Sequence, residues 1–509
     1  MAALAGAALL LVGVGAIIIS TAFQQRTAAR IVAADAPIDA GAYDPADIDS
    51  NNSPALVRNP VRPANLAIAN RIDTPRYACA LHVSSDGGAS WTRTPLPRPP
   101  REQRTCFAPD LAFGRDGTLY VSFVTLRGRG NVPHAVWTAR STDGGRTLSA
   151  PVKALGQLAF QTRLTADRTA AGRLYLTWLQ SDEIGFLRFA HPGNPIMSAR
   201  SDDGGRTWRA PVRVSNPARG RAIAPSPATG PRGELYVLYL DLAGDRLDYE
   251  GAHNGEGGKP YGGRFRLVLA RSIDGGATWG ESVADSAIAP IDRFVVFYPA
   301  YPLIAVDQHG GRVYAAYHDA RLGDADVSLW SLPGDGGTSW RGPVRVNDTR
   351  RRDATAQYMP RVAVAPNGRV DVEYYDRRGD RANVSNSVSM QSSDDAGQTF
   401  GPALTLSSTR FDSRIGFGSA HGLPDLGSRL GLVSDDRRAL AVWTDTRAGT
   451  RATNKQDLAR ALIAFSQPAR LSATATSALR YGGAALVLVG LAALIRRRLP
   501  RMPQGGYTP

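Results

Sequence analysis

The 509-residue chain is poor in lysine, cysteine and histidine, and has almost no helical periodicity between its two ends. Its formal charge is +15, yet only Lys153, Lys259 and Lys455 among 60 basic residues are lysines. Arginine is spread along the whole chain, with no basic block interleaved with aromatics. A codon bias explains that spread better than a nucleic-acid footprint, and no nucleic-acid partner is expected. The seven histidines show no HExxH-like pairing, and no Gly-rich loop cradles a phosphate, so neither a metal nor a cofactor is expected. A composition of 43% hydrophobic and 21% charged residues excludes disorder.

Long hydrophobic runs occur only at the ends. Ala2–Ile19 is apolar throughout and would reach roughly 27 Å as a helix. Small residues follow it at Ser20-Thr21-Ala22, so residues 1–22 read as a signal peptide or a retained N-terminal anchor, with both open. Tyr481–Ile495 reads as a transmembrane helix between Arg480 and Arg496, whose side chains can snorkel. The arginines of 496–509 mark a cytoplasmic tail. The expectation is a cell-membrane protein with everything between the ends outside the cytoplasm. Residues 23–59, rich in Ala, Asp, Pro and Asn, read as a linker, as do 467–480. In an exported domain Cys79 and Cys106, 27 residues apart, can form a disulfide contributing about 3 kcal/mol. Two buried free thiols are the alternative.

Between the ends, short apolar strands recur with turn residues between them. "APDLAFGRDGTLYVSF" (108–123), "PSPATGPRGELYVLY" (225–239) and "MPRVAVAPNGRVDVEYY" (359–375) show the clearest unit. Seven such units of about four strands predict an all-β propeller over residues 60–466, with seven blades favoured and six open. The first unit lacks its opening strand and the last lacks the phrase described next. Pairing of the two chain ends within one blade accounts for both gaps.

Most units carry an eight-residue phrase. It reads "SSDGGASW" at 84–91, "STDGGRTL" at 141–148, "SDDGGRTW" at 201–208, "SIDGGATW" at 272–279 and "SDDAGQTF" at 393–400, with a decayed copy, "PGDGGTSW", at 333–340. Its glycines suit positive φ, its Asp can cap a turn, and its last residue can plug an apolar gap. Asp86, Asp143, Asp203, Asp274, Asp335 and Asp395 are therefore read as structural: one catalytic acid is not needed six times.

The phrase resembles the Asp box, or BNR repeat, of the sialidase superfamily, as found in exported bacterial BNR-repeat proteins. The resemblance implies a propeller with a ligand site on its central axis, a glycan ligand, and hydrolysis of terminal acidic sugars as an exo-sialidase does. It also implies three arginines for the sugar carboxylate and a tyrosine–glutamate pair. Arg71-Ile72-Asp73 lacks the family's proline, and no segment reproduces its tyrosine motif. Whether the chain is catalytic stays open, and a non-catalytic propeller binding a glycan or a protein is the alternative.

A second repeat ends the aromatic strands: "YHDAR" (317–321), "YYDRR" (374–378) and "WTDTR" (443–447). Residues two apart share a strand face. Asp319, Arg321, Tyr374, Asp376, Arg378, Trp443, Asp445 and Arg447 are thus the candidate ligand site at the rim of the funnel. The competing reading is an Asp–Arg pair in each blade, repeated because the blade is. Glu373 reads as an exposed strand-end residue. Asp248, Glu250, His253 and Glu256 lie on a long Gly-rich insertion (241–264) whose spacing fits no metal template.

Overall fold

The computed structural model describes residues 27–466 apart from 40, 43, 45, 129–130, 184–191, 246–260, 292–299 and 417–425, together with 11–12, 481–482, 484–489 and 491. Residues 30–464 form one compact unit, and 1–29 with 465–509 another. The expected terminal helices, and most of the 241–264 insertion, fall largely outside the described residues. Among those described, no helix is long and apolar enough to cross a membrane.

Seven antiparallel sheets of four strands, one with a short fifth strand, make a seven-bladed propeller. Blades 1 to 6 begin with Asn51–Arg58, Cys106–Phe113, Ala159–Ala166, Ala222–Thr229, Leu303–Val306 and Gln357–Val364. These first strands, and Gly431–Ser434 of blade 7, neighbour one another in a closed ring about the axis. Burial follows position in the blade. The second strands, such as Leu235–Asp241 and Val370–Asp376, are buried at every residue because other blades cover both faces. Leu235–Asp241 therefore reads as a nearly continuous apolar run with no alternation, whereas Val370–Asp376 keeps Asp371, Glu373 and Asp376 buried among its apolar residues. The outermost strands, such as Arg341–Arg345, are largely exposed.

Blade 7 is closed by the N-terminus. Its strands run Gly431–Ser434, Arg438–Asp445 and Asp457–Ser466, and Ala28–Pro37 adds the outermost one. The chain then crosses to the axis, where Asn51 N donates to Gln456 O at 2.8 Å and begins blade 1. The 23–59 linker and the boundary at residue 60 are thus corrected. Ala28–Pro37 and Asn51–Arg58 are strands, and the missing opening strand of the first unit is Asn51–Arg58. Ala28–Pro37 resembles a linker because its partner, Asp457–Ser466, lies some 400 residues away. Asn51–Arg58, which pairs with the nearby Leu66–Ile72, resembles one because the bulge at Ser53 and Pro54 interrupts its strand pattern.

Each phrase joins the third and fourth strands of a blade. In blade 3 the Asp203 carboxylate accepts from Arg206 N and Thr207 N, both at 3.0 Å, from Thr207 Oγ1 at 2.6 Å and from Ser201 Oγ at 2.8 Å. These donors outweigh desolvation and hold its pKa down at about 2. The second glycine combines positive φ with close approach: a Cβ on Gly397 would stand 2.5 Å from Leu329 of the neighbouring blade. The decayed copy has Pro333 where the others have Ser, and its Asp335 keeps only the bond from Gly337 N. Cys79 and Cys106 form a disulfide from the third strand of blade 1 to the first of blade 2.

Candidate functional site in the central channel

The strand-end repeat does not converge on the axis. Asp319, Asp376 and Asp445 are buried and cap the turn that follows, accepting from the backbone N of Arg321 (2.7 Å), Arg378 (2.9 Å) and Arg447 (2.9 Å). Each Arg also pairs with its own Asp and reaches a second carboxylate farther out: Arg321–Asp285 at 2.7 Å, Arg378–Asp348 at 2.9 Å and Arg447–Asp35 at 2.8 Å. Asp285 and Asp35 lie on outermost strands, and Asp348 follows one. Tyr317, Tyr374 and Trp443 are buried between blades. Tyr374 Oη donates to Gln391 Oε1 at 2.7 Å, and Trp443 Nε1 donates to Asp445. Arg71 is likewise held, by Asp73 at 2.6 Å.

The axis is lined by other residues. In five first strands a bulge sits at the same place, on a non-glycine residue with positive φ: Ser53 (56°), Ala108 (46°), Gln161 (53°), Ala224 (58°) and Met359 (52°). Proline follows four of them, which a channel-lining edge strand tolerates because it needs no donor on its open side. Such backbone costs about 1–2 kcal/mol per residue and persists only where its surroundings fix it. Here they do. Ala224 N donates to Gln161 Oε1 at 2.7 Å, and Met359 N donates to His318 Nδ1 at 3.1 Å, each from one blade to the next.

Two residues past the bulge, charge replaces the expected apolar side chain in three blades, at Asp110, Arg163 and Arg361. Asp110 is buried and accepts from Leu164 N at 3.0 Å, with Arg163 Nε and Arg429 Nη1 both at 3.6 Å. Burial raises its pKa, and Arg163 opposes that. Arg429 crosses from blade 7 to Ser53 O at 3.0 Å and to Pro109 O. The Arg163 guanidinium lies 5.2 Å from the centroid of the Tyr301 ring.

Arg163 Nε and Nη1 and Arg361 Nε are buried without a hydrogen bond, as are Ser122 Oγ and Thr177 Oγ1 opposite Asp110 and Arg163. Arg361 is held at about 10, mainly by burial and then by the charge of Arg163. Glu373, directly opposite Arg361, is fully buried, which corrects its reading as an exposed strand end. Both its carboxyl oxygens lack a hydrogen bond. Burial pushes its pKa well above the carboxylate range, and Arg361 pulls it back. The innermost strands of these blades thus hold guanidinium N–H groups and hydroxyls that are buried without a hydrogen-bond partner.

Sequence reasoning missed Asp110, Arg163 and Arg361. Their signal was a charged residue directly after the Pro or Thr that opens each unit, as in "APD", "QTR" and "MPR". Among the described residues no cluster of His, Cys, Asp and Glu is arranged to hold a metal ion.

The chain is a seven-bladed propeller with Asp boxes. No family model matches the chain, and no curated protein matches it significantly. It is similar in fold to solved structures of low identity. One, a Dyadobacter fermentans protein of unknown function, is 15% identical, with 86% of this chain and 99% of that chain covered and a TM-score of 0.48. The Hadza microbial sialidase Hz136 is 16% identical over 79% of this chain and 74% of that chain, with a TM-score of 0.44. A Penicillium chrysogenum alpha-L-arabinanase in complex with arabinobiose is 15% identical over 70% and 92%, with a TM-score of 0.39.

Proposed function

We propose that this protein is a glycan-acting propeller that holds an acidic sugar in its channel, with hydrolysis of a terminal acidic sugar as its activity. The observation that carries this reading is the pair Arg163 and Arg361 on the innermost strands, where Arg163 Nε and Nη1 and Arg361 Nε are buried without a hydrogen bond and Asp110, 3.6 Å from Arg163, is the nearest carboxylate paired with them. A guanidinium grips a carboxylate by charge-assisted hydrogen bonds, and the low-dielectric wall strengthens them. The Ala2–Ile19 and Tyr481–Ile495 runs are read as its membrane attachment, with the propeller outside the cytoplasm. A fluorogenic sialoside and a fluorogenic uronide, offered to the purified full chain, test the activity. Turnover of either supports hydrolysis, and none by the folded protein rejects it.

The second reading is a non-catalytic glycan receptor. It is favoured by Asp110, whose carboxylate already serves Leu164 N and two arginines. Saturable binding of free sialic or glucuronic acid without turnover of the matching glycosides is the result that selects it.

A further inference from the structure

The two faces of blades 5 to 7 differ in charge in a way that a uniform arginine bias does not produce. On the face where the first strands begin, the connections 320–325, 346–356, 377–384, 406–416 and 446–456 carry twelve basic and five acidic residues. On the opposite face of the same blades, the connections 307–312, 333–340, 365–369, 394–403 and 435–437 carry three basic and six acidic ones. Several of the basic residues are free to act on a partner. Arg350, Arg351, Arg352, Arg381 and Arg451 are exposed and make no ion pair among the described residues.

The loops that carry them are continuous. Arg352 and Arg321 line one open groove of about 400 Å³. Asn383 ties the next loop to it, accepting from Ala356 N at 2.8 Å and donating to Ala354 O at 3.3 Å. Arg410 donates to Arg378 O, extending the strip toward blade 7. Residues 346–356 lead straight into the first strand of blade 6, which carries Arg361 to the axis. The strip is bounded on the far side. The 38–50 connection between blades 7 and 1 holds Asp39, Asp44, Asp47 and Asp49 and no basic residue.

We infer that this strip is a binding track for an extended acidic polysaccharide, one residue of which enters the channel. The inference deepens the proposed function and rests on it for the channel end of the chain. Two features select a polysaccharide over other polyanions. Among their described residues these connections hold a single aromatic, Phe411, and it is buried, so those residues offer no platform for stacking nucleic-acid bases. Among the described residues, none of the exposed large hydrophobic side chains lies on these connections, so those residues offer nothing to insert into a lipid surface.

The test measures binding of polygalacturonate to the full chain in detergent, with neutral galactan and single-stranded DNA as controls. The same titration is run on the R350A/R351A/R352A triple variant, whose thermal unfolding is checked beside it. Polygalacturonate binding that weakens steeply with salt, and weakens roughly ten-fold or more in the triple variant, supports the track. Unchanged binding in the triple variant overturns it, as does DNA binding as tight as polygalacturonate. Monomeric galacturonate binding that is lost in R163A/R361A while polymer binding is absent in the wild type removes the track and leaves the channel reading standing. Polymer binding that depends on the three arginines, without any monomer binding, keeps the track and removes the channel reading.

Discussion

Arg361 and Glu373 stand directly opposite each other on the first two strands of blade 6, and no hydrogen bond joins them. A buried acid and base in register would ordinarily pair, because an unpaired buried charge costs several kcal/mol. Here burial pushes the Glu373 pKa well above the carboxylate range, which favours the neutral carboxyl, and the Arg361 Nε is left buried without a hydrogen bond.

That relationship predicts a pH dependence. The pKa of Glu373 is higher in the folded protein than in the unfolded chain. The folded state therefore binds more protons above about pH 4.3, and stability falls as pH rises from there toward the folded pKa. Glu373→Gln keeps the shape of the protonated form and removes this loss. Its Tm advantage over the wild type should be larger at pH 8 than at pH 5. An advantage that does not change with pH disproves the burial argument.

The channel arginines separate from the strand-end arginines. Arg163→Ala and Arg361→Ala should each weaken binding of an acidic monosaccharide by about 10- to 100-fold, as expected for a lost hydrogen bond to a charged group. Arg447→Ala, whose guanidinium joins Asp445 to Asp35, should leave that affinity within about two-fold and act only on stability. Isothermal titration of all three variants decides this, and a reversed order would return the site to the rim.

The Asp boxes should behave as fasteners. Asp203→Ala removes a carboxylate that accepts from three groups of the turn and from Ser201, and should cost about 1–2 kcal/mol. Sugar affinity should not change. Since the folded pKa is depressed to about 2, this contribution is present above the unfolded value near 3.9 and is lost as pH falls toward 2. Urea unfolding of the wild type and variant at pH 6 and pH 2.5 should show the difference shrinking with acid.

Deleting residues 1–59 removes the outermost strand of blade 7 and the first strand of blade 1, whereas deleting 1–26 removes neither. The longer deletion should lose cooperative thermal unfolding and resist proteolysis poorly. The shorter one should keep both. A folded product of the longer deletion would mean that the ring closes without its N-terminal strand.

Much of the architecture was written in local pattern. The repeated phrase needs only its own eight residues to form, since Ser201, Asp203, the glycines and Thr207 hydrogen-bond among themselves. The aromatic-rich second strands, such as Leu235–Asp241 and Leu174–Gln180, likewise mark strands buried on both faces, and their recurrence counts the blades. Cys79 and Cys106 were the only pair available.

What the tertiary structure decided is pairing and direction. Ala28–Pro37 is a strand only because Asp457–Ser466 of blade 7 supplies its partner, which no local composition encodes, whereas Asn51–Arg58 pairs with the nearby Leu66–Ile72 and takes its place on the axis from ring closure. Asp376 and Arg378 share a strand face in either reading, but the packing of blade on blade turns the guanidinium outward to Asp348. Arg163 and Arg361, about 200 residues apart and unremarkable in sequence, meet because the ring closes and brings their strands to one axis. Local hydrogen bonding fixes the turn, and long-range closure fixes the site.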